Sequence, residues 1–331
     1  MNQVRSAEPD RQMGVLLDEA RGPVPQDDRV ADVSLPARLY ASKHTHRLIP
    51  AELALALAAA AGPAVRQRRN PGERYGARQF MTDLLTYTPR AGEAGALADR
   101  WLLEKSQVRE LFWRPWLLQK SRVTGTEHWH AAHAGGQGCV IVYGHFGASW
   151  AISAILERHG FEHYAVVSPH FWQPMPPGYE GLAILHRRRE YGEKVLGNAR
   201  LVLSNGRPTR LLELLLAGES VGLAFDVPGY AATPFLGRMV ALGGGPATLA
   251  AKAKAKVLPL TVHRHGSRLD LSFFPPLDPA TIGDPMSLRA EIARTFEPVV
   301  LAHPEMVELP WYPSPLVTEV NPQNPPVGAE R

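Results

Sequence analysis

Cysteine is almost absent: the 331-residue chain carries one, Cys139, inside an apolar run. A single thiol in an apolar run argues against a disulfide framework and against a cysteine-rich metal centre. Long apolar stretches are also lacking. The longest near the amino end, Leu53–Gly62, is mostly alanine and falls short of the roughly 20 apolar residues a bilayer-spanning helix needs. It reads as a packed or surface-lying helix. The amino end shows no basic, apolar and small-residue succession of a secretion signal. The expected location is therefore cytoplasmic. No phosphate loop with Gly-Lys-Ser/Thr, no dinucleotide fingerprint and no Gly-x-Ser-x-Gly elbow occurs. Zinc-knuckle spacing and aromatic-basic RNA motifs are missing too, which removes the usual nucleic-acid readers.

What remains is an ordinary globular composition, 45% hydrophobic and 21% charged, with a net charge of +4. That mild excess suits an anionic partner without demanding nucleic acid. Residues 1–36 are polar, with prolines at 9, 23, 25 and 36, and read as an extended arm. Residues 37–122 form a helical region. Its alanine-rich helix leads to Arg66-Gln-Arg-Arg69, which either anchors at anionic lipid or is a solvated helix end. Residues 93–121 place Trp101, Leu102, Val108, Leu111 and Trp116 at helical spacing, as core packing or as an apolar wall for an acyl chain. Thr126 is the expected cap of the next short helix.

From residue 123 to 309 strands alternate with helices, which predicts an α/β domain with a mostly parallel or mixed sheet flanked by helices. Strands are expected at Val140–Tyr143, Tyr164–Ser168, Val221–Phe225, Val257–Val262 and Leu269–Phe274, and helices at 208–217 and 285–302. The tail 310–331 is proline-rich. Two residues stand at strand ends, where α/β enzymes place their chemistry: His145, in the turn Gly144-His-Phe-Gly147, and Asp226. His145 is either a catalytic group or a histidine that merely ends the strand. Gly243-Gly-Gly245 opens a helix, and free amides there suit an anion or oxyanion. Arg187-Arg-Arg189 is either a solvated basic face or a phosphate-binding group.

Taken in order, these pieces resemble the bacterial lipid A and lysophospholipid acyltransferase family, which includes phosphatidylinositol mannoside acyltransferases. The residues that carry the resemblance are Thr124-Gly-Thr-Glu127, Gly144-His-Phe-Gly147, the arginines before Gly192, Gly218-Glu-Ser-Val221 with Asp226, Pro234-Phe-Leu-Gly237, Gly245-Pro-Ala-Thr-Leu-Ala-Ala-Lys252, Val257-Leu-Pro259 and His303-Pro-Glu305. The resemblance implies acyl transfer from an acyl carrier protein or coenzyme A thioester to a hydroxyl or amine of a small-molecule or lipid acceptor. It implies His145 as general base, with Asp226 orienting a polar acceptor or an arginine. Phe146, Gly147, Trp150, Phe235, Gly237, Gly244 and Gly245 are implied to bind substrate, and Arg188 or Arg189 to hold an anionic head group or the donor's phosphate. No metal or redox cofactor is implied, and peripheral contact with an anionic membrane fits the basic segments.

One departure stands out. The family places an acid after four residues beyond its histidine, and here that position is Trp150. Three explanations are open: Asp226 or another distant acid replaces it, the acceptor is a more reactive nucleophile such as an amine, or the fold has been kept for binding. The usual membrane anchor of the family is not seen in the amino-terminal segment either. Both departures fit a soluble enzyme that acylates a small molecule, for instance in specialised metabolite biosynthesis. The alternatives are a non-catalytic lipid- or carrier-binding protein and an acyl-thioester hydrolase.

Overall fold

The computed structural model describes residues 43–69, 72–112, 114–167, 200–203, 208–308 and 314–319. Helices α1 (Lys43–Leu48), α2 (Ala51–Arg69), α3 (Gly72–Leu85) and α4 (Ala94–Phe112) come first. Then follow β1 (Arg122–Thr124), α5 (Thr126–His133), β2 (Val140–Tyr143), α6 (Ile152–Arg158), β3 (Tyr164–Val167) and β4 (Arg200–Leu203). The chain continues through α7 (Pro208–Leu216), β5 (Val221–Ala224), β6 (Pro228–Phe235), β7 (Arg238–Leu242), α8 (Gly245–Ala253), β8 (Val257–His265) and β9 (Arg268–Phe273). It closes with α9 (Pro279–Ile282) and α10 (Pro285–Ala302).

One seven-stranded sheet has the order β1-β9-β8-β2-β5-β3-β4. All of its pairings are parallel except that of β8 with β9, so the expected mostly parallel α/β architecture is observed. The sequence of β2 explains its central place. Val140, Ile141 and Val142 are fully buried, as a strand covered on both faces requires. Their alternation sends Val140 and Val142 into one core and Ile141 into the other. The first core takes α3, the first half of α4, α8 and α10; the second takes α6 and the far half of α4. Helix α4 thus contributes to both. The amino-terminal helices are joined to it by a buried charged group, in which Glu110 Oε1 accepts from Arg114 Nη2 at 3.0 Å and lies 3.3 Å from His46 Nδ1.

Local chemistry sets several ends. α7 buries Leu211, Leu214 and Leu215 at helical spacing and is followed by Gly218 in a left-handed conformation. α10 starts at Asp284, whose carboxylate accepts from Met286 N at 2.8 Å and Ser287 N at 3.1 Å, with Pro285 in the first helical position. The expected cap at Thr126 is corrected: Thr126 is the first helical residue, and Gly125 (φ 70°) precedes it without any side-chain cap. The backbone there runs against the Phe273 carbonyl, so close approach to β9 chose glycine over a capping hydroxyl. Among the described residues no helix is long and apolar enough to cross a membrane. The arm, the proline-rich tail beyond 319 and Ser168 lie outside the described residues.

Candidate active site

His145 is carried just past the end of β2. That strand pairs in parallel with β5, in a register that sets Tyr143 opposite Ala224. Phe225 N donates to Tyr143 O at 3.0 Å and extends the match by one residue. His145 and Asp226 each lie two residues beyond that paired position, at the carboxyl ends of neighbouring strands. The consequence is a two-point clasp. Asp226 Oδ2 accepts from the His145 backbone amide at 2.7 Å, and Oδ1 lies 2.8 Å from His145 Nδ1. An ionised carboxylate only accepts, so Nδ1 carries the hydrogen and Nε2 is the nitrogen left with a free lone pair.

Burial favours the neutral imidazole of His145, but the Asp226 charge and hydrogen bond outweigh it, with Glu308 helping and Lys105 opposing. The net result raises its pKa above the ordinary histidine value. The phenol of Tyr143 beneath it is pushed up to about 12, first by burial and then by the Asp226 charge. Asp226 is 3% exposed, so its pairing acts through little water.

The other side of the turn is braced by the segment after α10. Glu308 N donates to His145 O and Gly147 N to Met306 O, both at 2.6 Å. Trp101 Nε1 on α4 donates to Val307 O at 2.7 Å, and Lys105 Nζ, one helical turn on, sits 3.2 Å from Glu308 Oε1. Gly147 holds φ 58°, and a Cβ there would sit 2.7 Å from Met306 Cε and 3.1 Å from Val262 O. Gly147→Ala is expected to cost about 1–2 kcal/mol, from the left-handed backbone alone, with any clash adding to it. Chemical denaturation measures that loss.

Asp226 is also next to the glycine run. Gly243 N donates to Val227 O at 2.9 Å, which docks the start of α8 onto the residue after the carboxylate. The first helical bond of α8 runs from Thr248 N to Gly244 O at 3.0 Å. The amides of Gly245 and Ala247 precede it and lack intrahelical acceptors.

The family model for bacterial lipid A biosynthesis acyltransferases matches residues 101–307, a span that contains the clasp, the glycine run and the bracing segment. The chain belongs to this family. It is accordingly an acyltransferase, with the family's α/β fold. No curated protein matches it significantly. Among solved structures, the 1-acyl-sn-glycerophosphate acyltransferase PlsC from Thermotoga maritima is similar over 70% of this chain and 97% of its own, at 12% identity and a TM-score of 0.35.

In this acyltransferase the residue after four intervening positions, Trp150, packs its ring against the second apolar core. The acid that meets the histidine comes instead from 81 residues downstream. Phe146 is 4% exposed and Phe235 fully buried, and both belong to an aromatic cluster with Phe225 and Phe296. Both expected substrate-binding rings are thus packed in the core. Gly237 (φ 79°) makes the β6–β7 turn beside Tyr87, within the surface pocket that Arg238 and Glu297 also line. Arg187–Arg189 lie outside the described residues. The residues not singled out for the site beforehand are Lys105, Glu308 and Phe296. Lys105 had a signal, since it follows Trp101 by four and so shares its helix face. Glu308 had one as well, in its closeness to the His303-Pro-Glu305 motif.

Proposed function

We propose that this acyltransferase moves an acyl group from a thioester, carried on an acyl carrier protein or coenzyme A, to a hydroxyl or amine of a small-molecule or lipid acceptor. His145 is the general base. The observation that carries this reading is the 2.8 Å contact between His145 Nδ1 and Asp226 Oδ1, which fixes the tautomer and supports an imidazolium. The acceptor O–H or N–H attacks the thioester carbonyl as Nε2 takes its proton. The tetrahedral intermediate collapses and breaks the C–S bond, and the departing thiolate takes the proton back from the imidazolium. An ester or amide and a free thiol result.

The acceptor class we favour is a product of specialised metabolism, handled in the cytoplasm or at the inner membrane face. Leu53 and Leu57, exposed four residues apart on α2, suit light peripheral contact. Lys252, Lys254 and Lys256 suit an acidic carrier protein.

The test is thiol release from acyl thioesters by the purified chain, with and without candidate acceptors. Acceptor-dependent release supports transfer. Release to water alone identifies a hydrolase, and saturable binding without release identifies a binding protein; both overturn the proposal. The pH profile carries a sign. The base must be neutral and its pKa is raised, so kcat/KM is expected to climb with pH through a midpoint above the ordinary value of about 6.5. In Asp226→Asn the raising charge is gone and burial remains, so the residual activity shifts its midpoint to lower pH.

A further inference from the structure

Arg289, on the first turns of α10, is 9% exposed, and among the described residues no carboxylate forms an ion pair with it. Its Nε is buried with no hydrogen-bond partner among the described residues. Among the described residues its hydrogen bond is a long one, from Nη2 to Ala232 O on β6 at 3.4 Å. The acid that acts on it most is Asp284, yet that carboxylate is occupied by the amides of Met286 and Ser287 and by Ser287 Oγ at 2.7 Å. A guanidinium stays protonated at any working pH, and a buried one without a partner is costly. The guanidinium faces the start of α8. Nη1 lies 3.4 Å from the point that a Gly244 Cβ would occupy, with Thr248 Oγ1 3.8 Å from the same point. Gly244 has an ordinary φ of −85°, so no backbone strain explains the glycine. Its missing side chain keeps open the space between Arg289 and the amino end of α8, where the amides of Gly245 and Ala247 lack acceptors.

We infer that Arg289 and the amino end of α8 form a binding site for the phosphate or phosphodiester of a substrate. A guanidinium edge offers two parallel donors and the helix offers amides, which together match a group with several charged oxygens. The site adjoins the dyad through the Gly243–Val227 hydrogen bond. The phosphate belongs either to the pantetheine arm of the donor or to the acceptor, and assigning it to a substrate rests on the acyl-transfer reading above.

The experiment is isothermal titration calorimetry of the whole chain with inorganic phosphate, 4′-phosphopantetheine, pantetheine and glycerol 3-phosphate. The expected result is one phosphate site that Arg289→Met weakens by at least about 10-fold. Gly244→Ala provides a second variant, since its Cβ would make only ordinary contact with Nη1 and leave the fold intact while narrowing the cradle. It too should weaken phosphate binding. 4′-Phosphopantetheine binding more tightly than both phosphate and pantetheine assigns the donor; glycerol 3-phosphate exceeding phosphate assigns the acceptor. No phosphate binding to the wild type, or equal binding to both variants, overturns the site. So does an equal fall in kcat for Arg289→Met with a phosphate-free acyl N-acetylcysteamine thioester and a phosphate-free acceptor, since it would place Arg289 at the reacting carbonyl. Absence of turnover by the wild type counts against acyl transfer but leaves the calorimetric result standing.

Discussion

Asp226→Asn is expected to lower kcat by about 10²–10⁴-fold while leaving the protein folded. The reason is that both carboxylate oxygens are in use, one on the His145 backbone amide at 2.7 Å and one on Nδ1 at 2.8 Å. An asparagine has one carbonyl oxygen and one NH2 group. If the oxygen keeps the backbone amide, the NH2 faces Nδ1. The imidazole must then take its hydrogen on Nε2, where the base is needed, and it can no longer accept the acceptor's proton. If the amide flips, the NH2 opposes the backbone N–H and the turn is pushed away from β5. In the first case the productive tautomer is lost; in the second the tautomer survives, but the anchor that holds the turn does not. His145→Ala removes the base itself and should cost a similar factor. Because the two residues act as one unit, the double variant should be little worse than either single one. Steady-state rates, with circular dichroism to confirm folding, decide the matter. A kcat within threefold of wild type for either single variant would remove the pair from the chemistry.

Phe296→Ala is expected to destabilise the protein by about 3–5 kcal/mol, the usual loss for a buried phenylalanine. Phe296 is completely buried on α10. Its ring stacks on Phe225 at 4.5 Å with an interplanar angle of 7°, and meets Phe146 at 5.9 Å. Phe225 precedes Asp226 and Phe146 follows His145, so a single ring braces the chain neighbours of both members of the pair. The cavity left by alanine sits under both anchors. Urea unfolding should show the stability loss. The fraction that stays folded should also have a lower kcat, with Phe296→Leu milder on both counts. A loss below about 1 kcal/mol would mean that the cluster repacks and does not hold the site.

Much of the fold was legible because its central elements obey simple periods. The apolar run before Gly144 is too short for a helix and is bounded by glycine, which marks a buried strand. α10 was bracketed by an Asp-Pro start and a periodic apolar face, and its expected span of 285–302 agrees with Pro285–Ala302. The β6–β7 hairpin was not legible. Pro228 and Pro234 stand within β6 and imitate loop punctuation, but this two-stranded ribbon lies outside the main sheet and tolerates them. β4 and the bounds of α3 within the helical region escaped as well. β4 is only four residues long, and α3 carries Gly76 and a charged exposed face that mask the stripe formed by Ala77, Phe80, Met81 and Leu84.

The sequence by itself determined the α/β class, His145 and Asp226 as strand-end candidates, and the family resemblance that points to acyl transfer. Only the tertiary structure decided that these two residues meet. Their contact depends on the parallel register of β2 with β5, a hydrogen-bond ladder between segments 81 residues apart that local propensity does not encode. The same holds for Arg289. In the sequence it is one charge on an amphipathic helix; packed against β6 and the opening of α8, it is a buried cation whose Nε has no hydrogen-bond partner among the described residues. Periodicity reports which face of an element is buried, whereas only the assembled packing sets what that face is buried against.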